Sequence, residues 1–216
     1  MAPVERLRPV SGTTRRERFN RIWAGIGWPE RDPGYICVVG DRQDGRYHAL
    51  WEKRCGLWEL GDACLEAKDR FLLENILVDG RDAIAASYLR TLNGLCFYES
   101  AVSESPLQSA PTDRLRLASP FPTGDSTATV VPVPERVVSN YRSALEKTRG
   151  LIVSGRLLIH EANCPRLVYT LRQPLEDLLN SPVMKGLVWV LTALADSAAN
   201  GNLQFPEQAP WYTSVP

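Results

Sequence analysis

The sequence predicts an α/β fold with a mixed sheet, in which three antiparallel strands precede parallel strands and helices cover both faces. Two observations predict this fold. Residues 35–52 contain two apolar runs on either side of an Asp-Gly turn, which is the pattern of an antiparallel hairpin. After residue 59, helical periodicity alternates with short apolar runs, as in parallel strands joined by helices. Hydrophobic residues make up 44% of the 216 residues, which is enough for a globular core.

The first three strands are short apolar runs bounded by glycine and proline. IWAGIG at 22–27 and YICVVG at 35–40 are predicted strands, because buried strands are short and end at such residues. The segment 41–45 supplies the turn, and RYHALWE at 46–52 is the returning strand.

Helices and strands alternate in the next part of the chain. Apolar residues recur at three- and four-residue spacing over 59–74, which predicts a helix. NILV at 75–78 is a predicted strand, 82–93 a helix that ends at Gly94, and 96–100 a further strand.

The amino-acid composition of residues 101–134 differs from that of the rest of the chain. It is rich in Ser, Pro and Thr and longer than most loops of compact domains, so we predict an insertion that is partly ordered. ATVVPV at 128–133 is at most a weak strand within it. The domain is predicted to span 21–204, and a coil rich in proline is predicted to follow it at 205–216.

Helical periodicity returns after the insertion. It predicts a helix from residue 135 to about 150, and RLLIHE at 156–161 is a strand. Asn163 is a predicted cap of the next helix, and Ser181 is a predicted cap of the last helix, which ends near Asn200. That last helix has apolar residues on one face. They are Leu187, Val190, Leu191, Leu194 and Ala198.

Composition excludes several classes of protein. The five cysteines include no C-x-x-C pair and there are only two histidines, so a zinc site and a disulfide framework are not expected. No run is long and apolar enough for a membrane span, and the N-terminus lacks an apolar signal core. We therefore expect a cytoplasmic protein without a membrane partner.

Charge gives only local support for nucleic-acid binding. The 25 basic residues equal the 25 acidic residues, whereas proteins that contact many phosphates usually carry a basic excess. A basic arm at 1–20 is the exception, and with the first residue of the domain it offers four arginines to phosphates: Arg15, Arg16, Arg18 and Arg21. The alternative, a solvated and frayed terminus, is the commoner meaning of such a segment.

One stretch resembles a known family. The residues VVPVPERVVSNYRSALEKTRGLIVSGRLLIHEANCPRLVYTLRQ at 130–173 are similar to the late part of the nuclease domain of phage large terminases, which is ribonuclease H-like. The hairpin at 35–52 resembles the second and third strands of that domain, and ILVDGRD lies where its fourth strand ends in an acidic residue. The ATP-binding motif G-x-x-x-x-G-K-[ST] does not occur in the sequence.

The resemblance implies a two-metal site, because such nucleases hold two Mg²⁺ or Mn²⁺ ions on three or four carboxylates. The first carboxylate ends strand one, where this sequence has Gly27. Asp32 and Asp41 could replace it only if the local geometry shifts, and turn formation is the favoured interpretation of both. Asp79 matches the second position, at the end of strand four, although it could also serve as a turn or cap.

The remaining positions match poorly. The family's acidic position in the last helix falls near Val188, with Lys185 where the family often has His. Asp196 is nine residues from Leu187 and therefore on the opposite, solvated face. Glu161 ends the predicted strand 156–161 beside His160, where an exposed charge is the favoured interpretation.

The sequence therefore leaves three hypotheses. The first is a terminase-like protein of a phage or prophage, related to DNA packaging, whose metal-dependent cleavage is weak or lost. It would bind Mg²⁺ or Mn²⁺ weakly or use no metal, and it would contact DNA, a packaging ATPase or a portal-type protein. The second is an active Mg²⁺- or Mn²⁺-dependent DNA endonuclease in which Asp79 works with relocated carboxylates. The third is a prophage remnant without a selected role.

Overall fold

The fold is a seven-stranded mixed sheet with helices packed on both faces. The structure is a computed structural model, which describes residues 19–28, 33–79, 89, 95–97, 128–133 and 135–200. The strands are β1 Arg21–Gly27, β2 Gly34–Asp41, β3 Tyr47–Cys55, β4 Asn75–Val78, β5 Leu95–Phe97, β6 Ala128–Pro132 and β7 Leu157–Ile159. Their order in the sheet is β5-β6-β4-β1-β2-β3-β7.

Six α-helices lie in the described part of the chain. They are α1 Leu60–Phe71, α2 Glu135–Ser139, α3 Tyr141–Val153, α4 Pro165–Leu171, α5 Leu175–Asn180 and α6 Pro182–Asn200. A 3-10 turn at Leu57–Glu59 precedes α1. The predicted helix over 82–93 lies outside the described residues except for Leu89, which is helical and fully buried.

The antiparallel half of the sheet confirms the sequence prediction. β1 pairs with β2 and β2 with β3, both antiparallel, and the hairpin turn places Gly45 at a φ of +74°. This left-handed conformation suits glycine, and the Asp44 carboxylate accepts a hydrogen bond from the Arg46 N–H at 3.1 Å. β3 continues three residues beyond its predicted end, because Cys55 still pairs with Gly34.

The parallel half corrects one predicted boundary. β4 pairs with β1, and β6 lies between β4 and β5, all in parallel. The predicted insertion at 101–134 therefore ends too late, since Ala128–Pro132 is an inner strand of the sheet with Val130 and Val131 fully buried. Its β-branched residues form a continuous apolar run, as expected for a strand buried on both faces. The Ser-, Pro- and Thr-rich composition upstream concealed that signal.

The last helix is more deeply buried than its sequence pattern indicates. α6 packs across β1, β2 and β4 and also contacts α3, α4 and α5. Leu187, Val190, Leu191 and Leu194 are buried as predicted, whereas Ala198 is exposed. Further apolar side chains around the helix are buried too, which makes α6 a central element and not an amphipathic surface helix. They are Val183, Met184, Val188, Trp189 and Ala193.

Glycine allows α6 to approach β1 unusually closely. A Cβ atom built on Gly27 would lie 1.7 Å from the carbonyl oxygen of Pro182, and one on Gly25 would lie 2.0 Å from that of Gly186. These distances are far below van der Waals contact. Any side chain at either position of β1 would therefore push the helix away from the sheet.

One of the two predicted helix caps, Ser181, is confirmed, and the other, Asn163, is wrong. The Ser181 hydroxyl accepts a hydrogen bond from the Met184 N–H at 3.4 Å, which confirms it as the cap of α6. The residue before α4 is Cys164 and not the predicted Asn163, whose amide instead donates to the Leu50 carbonyl at 3.1 Å. α5 was not predicted, because its few residues lie between Pro174 and Ser181 and give no periodicity.

The two faces of the sheet carry separate cores. α1 covers one face, and α2 to α6 cover the other, where Trp23 and Trp189 are buried. The four cysteines whose side chains the structure describes are buried free thiols: Cys37, Cys55, Cys64 and Cys164. None of the helices described here could span a membrane.

We expect Gly27→Ala to lower the free energy of unfolding by about 3 kcal/mol or more, because the added methyl group meets backbone and not a movable side chain. Gly150→Ala is the matched control, since a Cβ there has no atom within 4 Å. It should raise stability by about 0.5–1 kcal/mol, as alanine favours the helix. Urea unfolding followed by circular dichroism measures both, and equal stability of the two variants would contradict the close-packing argument.

Candidate functional site: the edge where β1 and β4 end

The parallel strands β1, β4 and β6 have their carboxyl ends at the same end of the sheet, which is called the candidate edge below. Val78 is in register with Ile26 on one side and Pro132 on the other, so Asp79 lies level with Gly27 and Val133. Asp79 is half-buried. In open α/β sheets this edge is where ligands and chemistry are usually found, so it is the candidate site.

The end of β1 has no room for a carboxylate. Gly27 is where the resemblance implies an aspartate, but the first turn of α6 already occupies the space that its side chain would need. Pro182 contributes the nearest carbonyl and Gly186 the nearest amide nitrogen. The packing of α6 on β1 therefore excludes a carboxylate side chain at this position.

Asp32 lies outside the described residues, so its role as a metal ligand stays a prediction. The described residues on either side of that segment are Trp28 and Pro33. The Trp28 ring packs directly over Gly34, where a Cβ would lie 2.2 Å from the nearest ring atom. An aromatic side chain therefore covers the start of β2 at the candidate edge.

Asp41 lies at the opposite edge of the sheet, which corrects its prediction as a partner of Asp79. It pairs with Arg21 at the start of β1, whereas Asp79 is level with the end of that strand. Six residues of extended chain separate these levels, a distance of about 20 Å. Two metals bridged by shared carboxylates are only about 4 Å apart, so Asp41 cannot complete a site at Asp79.

Asp41 instead anchors a structural ion pair. Its carboxylate is buried and lies 2.8 Å from the Arg21 guanidinium, which also donates a hydrogen bond to the Ser197 hydroxyl near the end of α6. The guanidinium lies 5.8 Å from the centre of the Trp23 ring. The Arg21 side chain therefore links β1, β2 and α6. This finding corrects its predicted role as a phosphate contact. The other predicted phosphate contacts, Arg15, Arg16 and Arg18, lie outside the described residues.

Glu161 ends on the correct edge of the sheet but far from Asp79. It follows β7, which is parallel to β3 and lies four strand positions from β4. At about 4.8 Å per position, the two carboxylates are roughly 19 Å apart across the sheet. Glu161 is exposed, in agreement with the interpretation of a strand-end surface charge.

Asp196 is also remote from the candidate edge. It lies fourteen residues after Pro182, about 21 Å along the axis of α6, while Pro182 is the residue that covers Gly27. Its carboxylate forms an ion pair with Arg136 at 2.7 Å. Val188, at the position of the family's acidic residue, is fully buried in the core. The last helix therefore supplies no carboxylate at the edge from these predicted positions.

The described residues do not fit a two-metal centre. They contain no group of three or more Asp, Glu, His or Cys side chains that could hold a metal ion. Of the other predicted ligands that the structure describes, none lies near enough to Asp79 to share a metal ion with it. One carboxylate leaves most of the six or more oxygen ligands of a hard cation to water, so binding there would be weak.

Sequence analysis missed a carboxylate with a clear structural task. Glu52 in β3 is half-buried and accepts hydrogen bonds from the backbone N–H groups of Arg166 and Leu167, the latter at 2.9 Å. Burial raises the pKa of Glu52, although these two hydrogen bonds act in the opposite direction. No local signal in WEKRC distinguishes this residue from a surface charge, because its partners are more than 110 residues away.

We expect Asp41→Asn to lower the free energy of unfolding by about 1–3 kcal/mol, because it removes the charge that pairs with a largely buried guanidinium. Asp44→Asn is the control, since Asp44 is exposed in the hairpin turn and asparagine preserves that turn. It should change stability by less than about 0.5 kcal/mol. Urea unfolding of both variants measures the difference, and an unaffected Asp41 variant would refute the anchoring role.

Comparison with known proteins finds similarity in structure only. Neither a protein-family model nor a curated protein sequence matches the chain. Among solved structures, the large terminase from a thermophilic bacteriophage matches with a TM-score of 0.44 and 8% identity over 78% of this chain. The match covers 34% of that terminase, so the chain spans about a third of its length.

Two other solved structures match over most of both chains. The yeast mitochondrial Holliday junction resolvase has a TM-score of 0.47 and 10% identity, covering 84% of this chain and 85% of its own. The nuclease domain of the human cytomegalovirus terminase, soaked with Mn, has a TM-score of 0.43 and 12% identity, covering 86% of each chain. The strand directions of the sheet agree with the sequence prediction, in which three antiparallel strands are followed by parallel strands.

Proposed function

We propose that this chain is a terminase-like protein of a phage or prophage that acts in DNA packaging and has weak or lost metal-dependent DNA cleavage. The observation that carries the proposal is the contact between Pro182 and Gly27, which leaves no space for a carboxylate at the end of β1. A ribonuclease H-like scaffold that fills this position with helix backbone keeps its fold and gives up a metal ligand.

Two-metal hydrolysis makes that loss decisive. The two ions must lie about 4 Å apart to activate a water and stabilise the leaving oxygen, and carboxylates shared between them hold that spacing. Asp79 alone cannot bridge two ions and also satisfy the remaining coordination of each. Cleavage that depends on such a pair should therefore be very slow in this protein.

The partners of the proposed function are DNA and a packaging ATPase or portal-type protein. These partners follow from the resemblance of residues 130–173 to terminase nuclease domains. The zero net charge argues against tight sequence-independent binding of long duplex DNA, since each neutralised phosphate requires a positive group. Contact with DNA would instead be local.

The second candidate function is an active Mg²⁺- or Mn²⁺-dependent endonuclease in which Asp79 works with Asp32. One observation favours it, because Asp79 follows a buried parallel strand at the edge where such chemistry is found. Asp32 directly precedes Pro33, and Gly34 begins β2 on that same edge. Asp41, Glu161 and Asp196 are not part of this candidate, since they lie too far from Asp79.

Calorimetric titration with Mn²⁺ and cleavage of supercoiled plasmid, run on the same samples, test the proposal. The proteins are wild type, Asp79→Ala and the control Asp69→Ala, which removes an exposed carboxylate of α1. We expect the same weak Mn²⁺ binding in all three proteins and no cleavage above that of metal without protein. Tight binding and cleavage in wild type and Asp69→Ala, both lost in Asp79→Ala, would overturn the proposal in favour of an active nuclease.

A further inference from the structure

The exposed face of α4 carries an aromatic residue between two arginines. Arg166 and Tyr169 lie in α4, and Arg172 directly follows its last residue with a helical backbone conformation. The three are spaced three residues apart, so their side chains follow one another along one side of the helix. Tyr169 is 60% exposed, and both arginines are exposed as well. The opposite side of the helix faces the core through Leu167, which is fully buried.

The start of α4 is fixed to the sheet by hydrogen bonds that do not involve the side chains of Arg166, Tyr169 or Arg172. The Glu52 carboxylate accepts the backbone N–H groups of Arg166 and Leu167, and the Asn163 amide donates to the Leu50 carbonyl. Among the described residues, no ion pair is formed by Arg166 or Arg172. These hydrogen bonds hold the start of α4, while the side chains of Arg166, Tyr169 and Arg172, here called the α4 stripe, are exposed. The charge of Arg166 also acts on the Glu52 carboxylate, whose pKa it lowers against the effect of burial.

The end of β3 adds a third guanidinium on the same side of the sheet. Lys53 lies 2.6 Å from Glu66 of α1, which shows that Lys53 points toward the face covered by α1. Successive strand residues point to opposite faces, so Glu52 and Arg54 point to the face on which α4 lies. Glu52 contacts the start of α4 directly, and Arg54 is exposed two residues further along β3.

We propose that the α4 stripe, formed by Arg166, Tyr169 and Arg172 and extended by Arg54, binds single-stranded DNA. Guanidinium groups form paired hydrogen bonds with phosphates, and an exposed tyrosine ring offers a platform on which an unpaired base can stack. A row of positive and aromatic groups is the combination with which proteins bind a single strand. The exposed carboxylates of α5, Glu176 and Asp177, follow the stripe and would end the path of the phosphates.

This surface deepens the proposed function, on which it rests only for the choice of DNA as the partner. It is separate from the candidate metal edge, because α4 follows β7, which lies four strand positions from β4. EDTA removes divalent metal ions, so DNA binding measured in EDTA does not depend on a metal at the candidate edge. Plasmid cleavage by the wild type would overturn the proposed loss of activity without bearing on the stripe.

Fluorescence anisotropy with a labelled oligo-dT strand, in EDTA and over a series of salt concentrations, tests the phosphate contacts. The double variant Arg166→Ala/Arg172→Ala keeps the backbone bonds of α4 and should bind at least about tenfold more weakly. Its slope of log K against log salt should fall by about 1.4, the value for two phosphates of a single strand. Arg46→Ala/Arg149→Ala, which removes two exposed arginines elsewhere, should bind like wild type.

Tyr169 provides a second arm of the same experiment. Tyr169→Phe should bind like wild type because it retains the ring, and Tyr169→Ala should bind at least about fivefold more weakly. A duplex of the same length should bind more weakly than the single strand, since its bases are not free to stack. The proposal is overturned if wild type does not bind the single strand or if the two double variants bind it equally well. It is also overturned if Tyr169→Ala binds the single strand as tightly as wild type does, or if wild type binds the duplex as tightly as the single strand. Circular dichroism of each variant confirms that it is folded.

Discussion

The close contact between the backbone of α6 and the glycines of β1 is the constraint on which the rest of the structure depends. Without side chains at Gly25, Gly27 and Gly186, the helix axis can approach the sheet far more closely than usual. That approach lets apolar side chains all around α6 reach partners, so the helix becomes the centre of one core. At its far end, the Arg21–Asp41 ion pair and Ser197 hold the helix in the same register.

The same contact links the stability of the fold to the absence of a carboxylate at Gly27. A carboxylate at the end of β1 would need a gap between strand and helix, and opening that gap would weaken the packing of the whole helix. Water and a divalent cation would have to enter the space that Pro182 now occupies. A single substitution at Gly27 therefore cannot place a carboxylate there, because the surrounding packing excludes it.

The fold was largely predictable because its signals are local. The hairpin around Asp44-Gly45, the strand Asn75–Val78 and the cap at Ser181 each depend on a few neighbouring residues, and all three are confirmed. β6 was underestimated because a short β-branched run says nothing about its neighbours β4 and β5. The wide buried surface of α6 was missed for a related reason, since periodicity reports one apolar face and not how many elements surround a helix.

The candidate site was less predictable, because which of its residues lie close together depends on how the strands pair in the sheet. Asp41 and Asp79 both end apolar strands and look equivalent in sequence, but their strands run in opposite directions and place them at opposite edges. Arg21 looked like part of a basic arm, and only the pairing of β1 with β2 shows that its charge is already neutralised by Asp41. Positive charge that remains available for an anion is found instead where no charge cluster stands out in the sequence, on α4. Because Glu52 holds that helix through backbone N–H groups, its arginines keep their side chains available for binding.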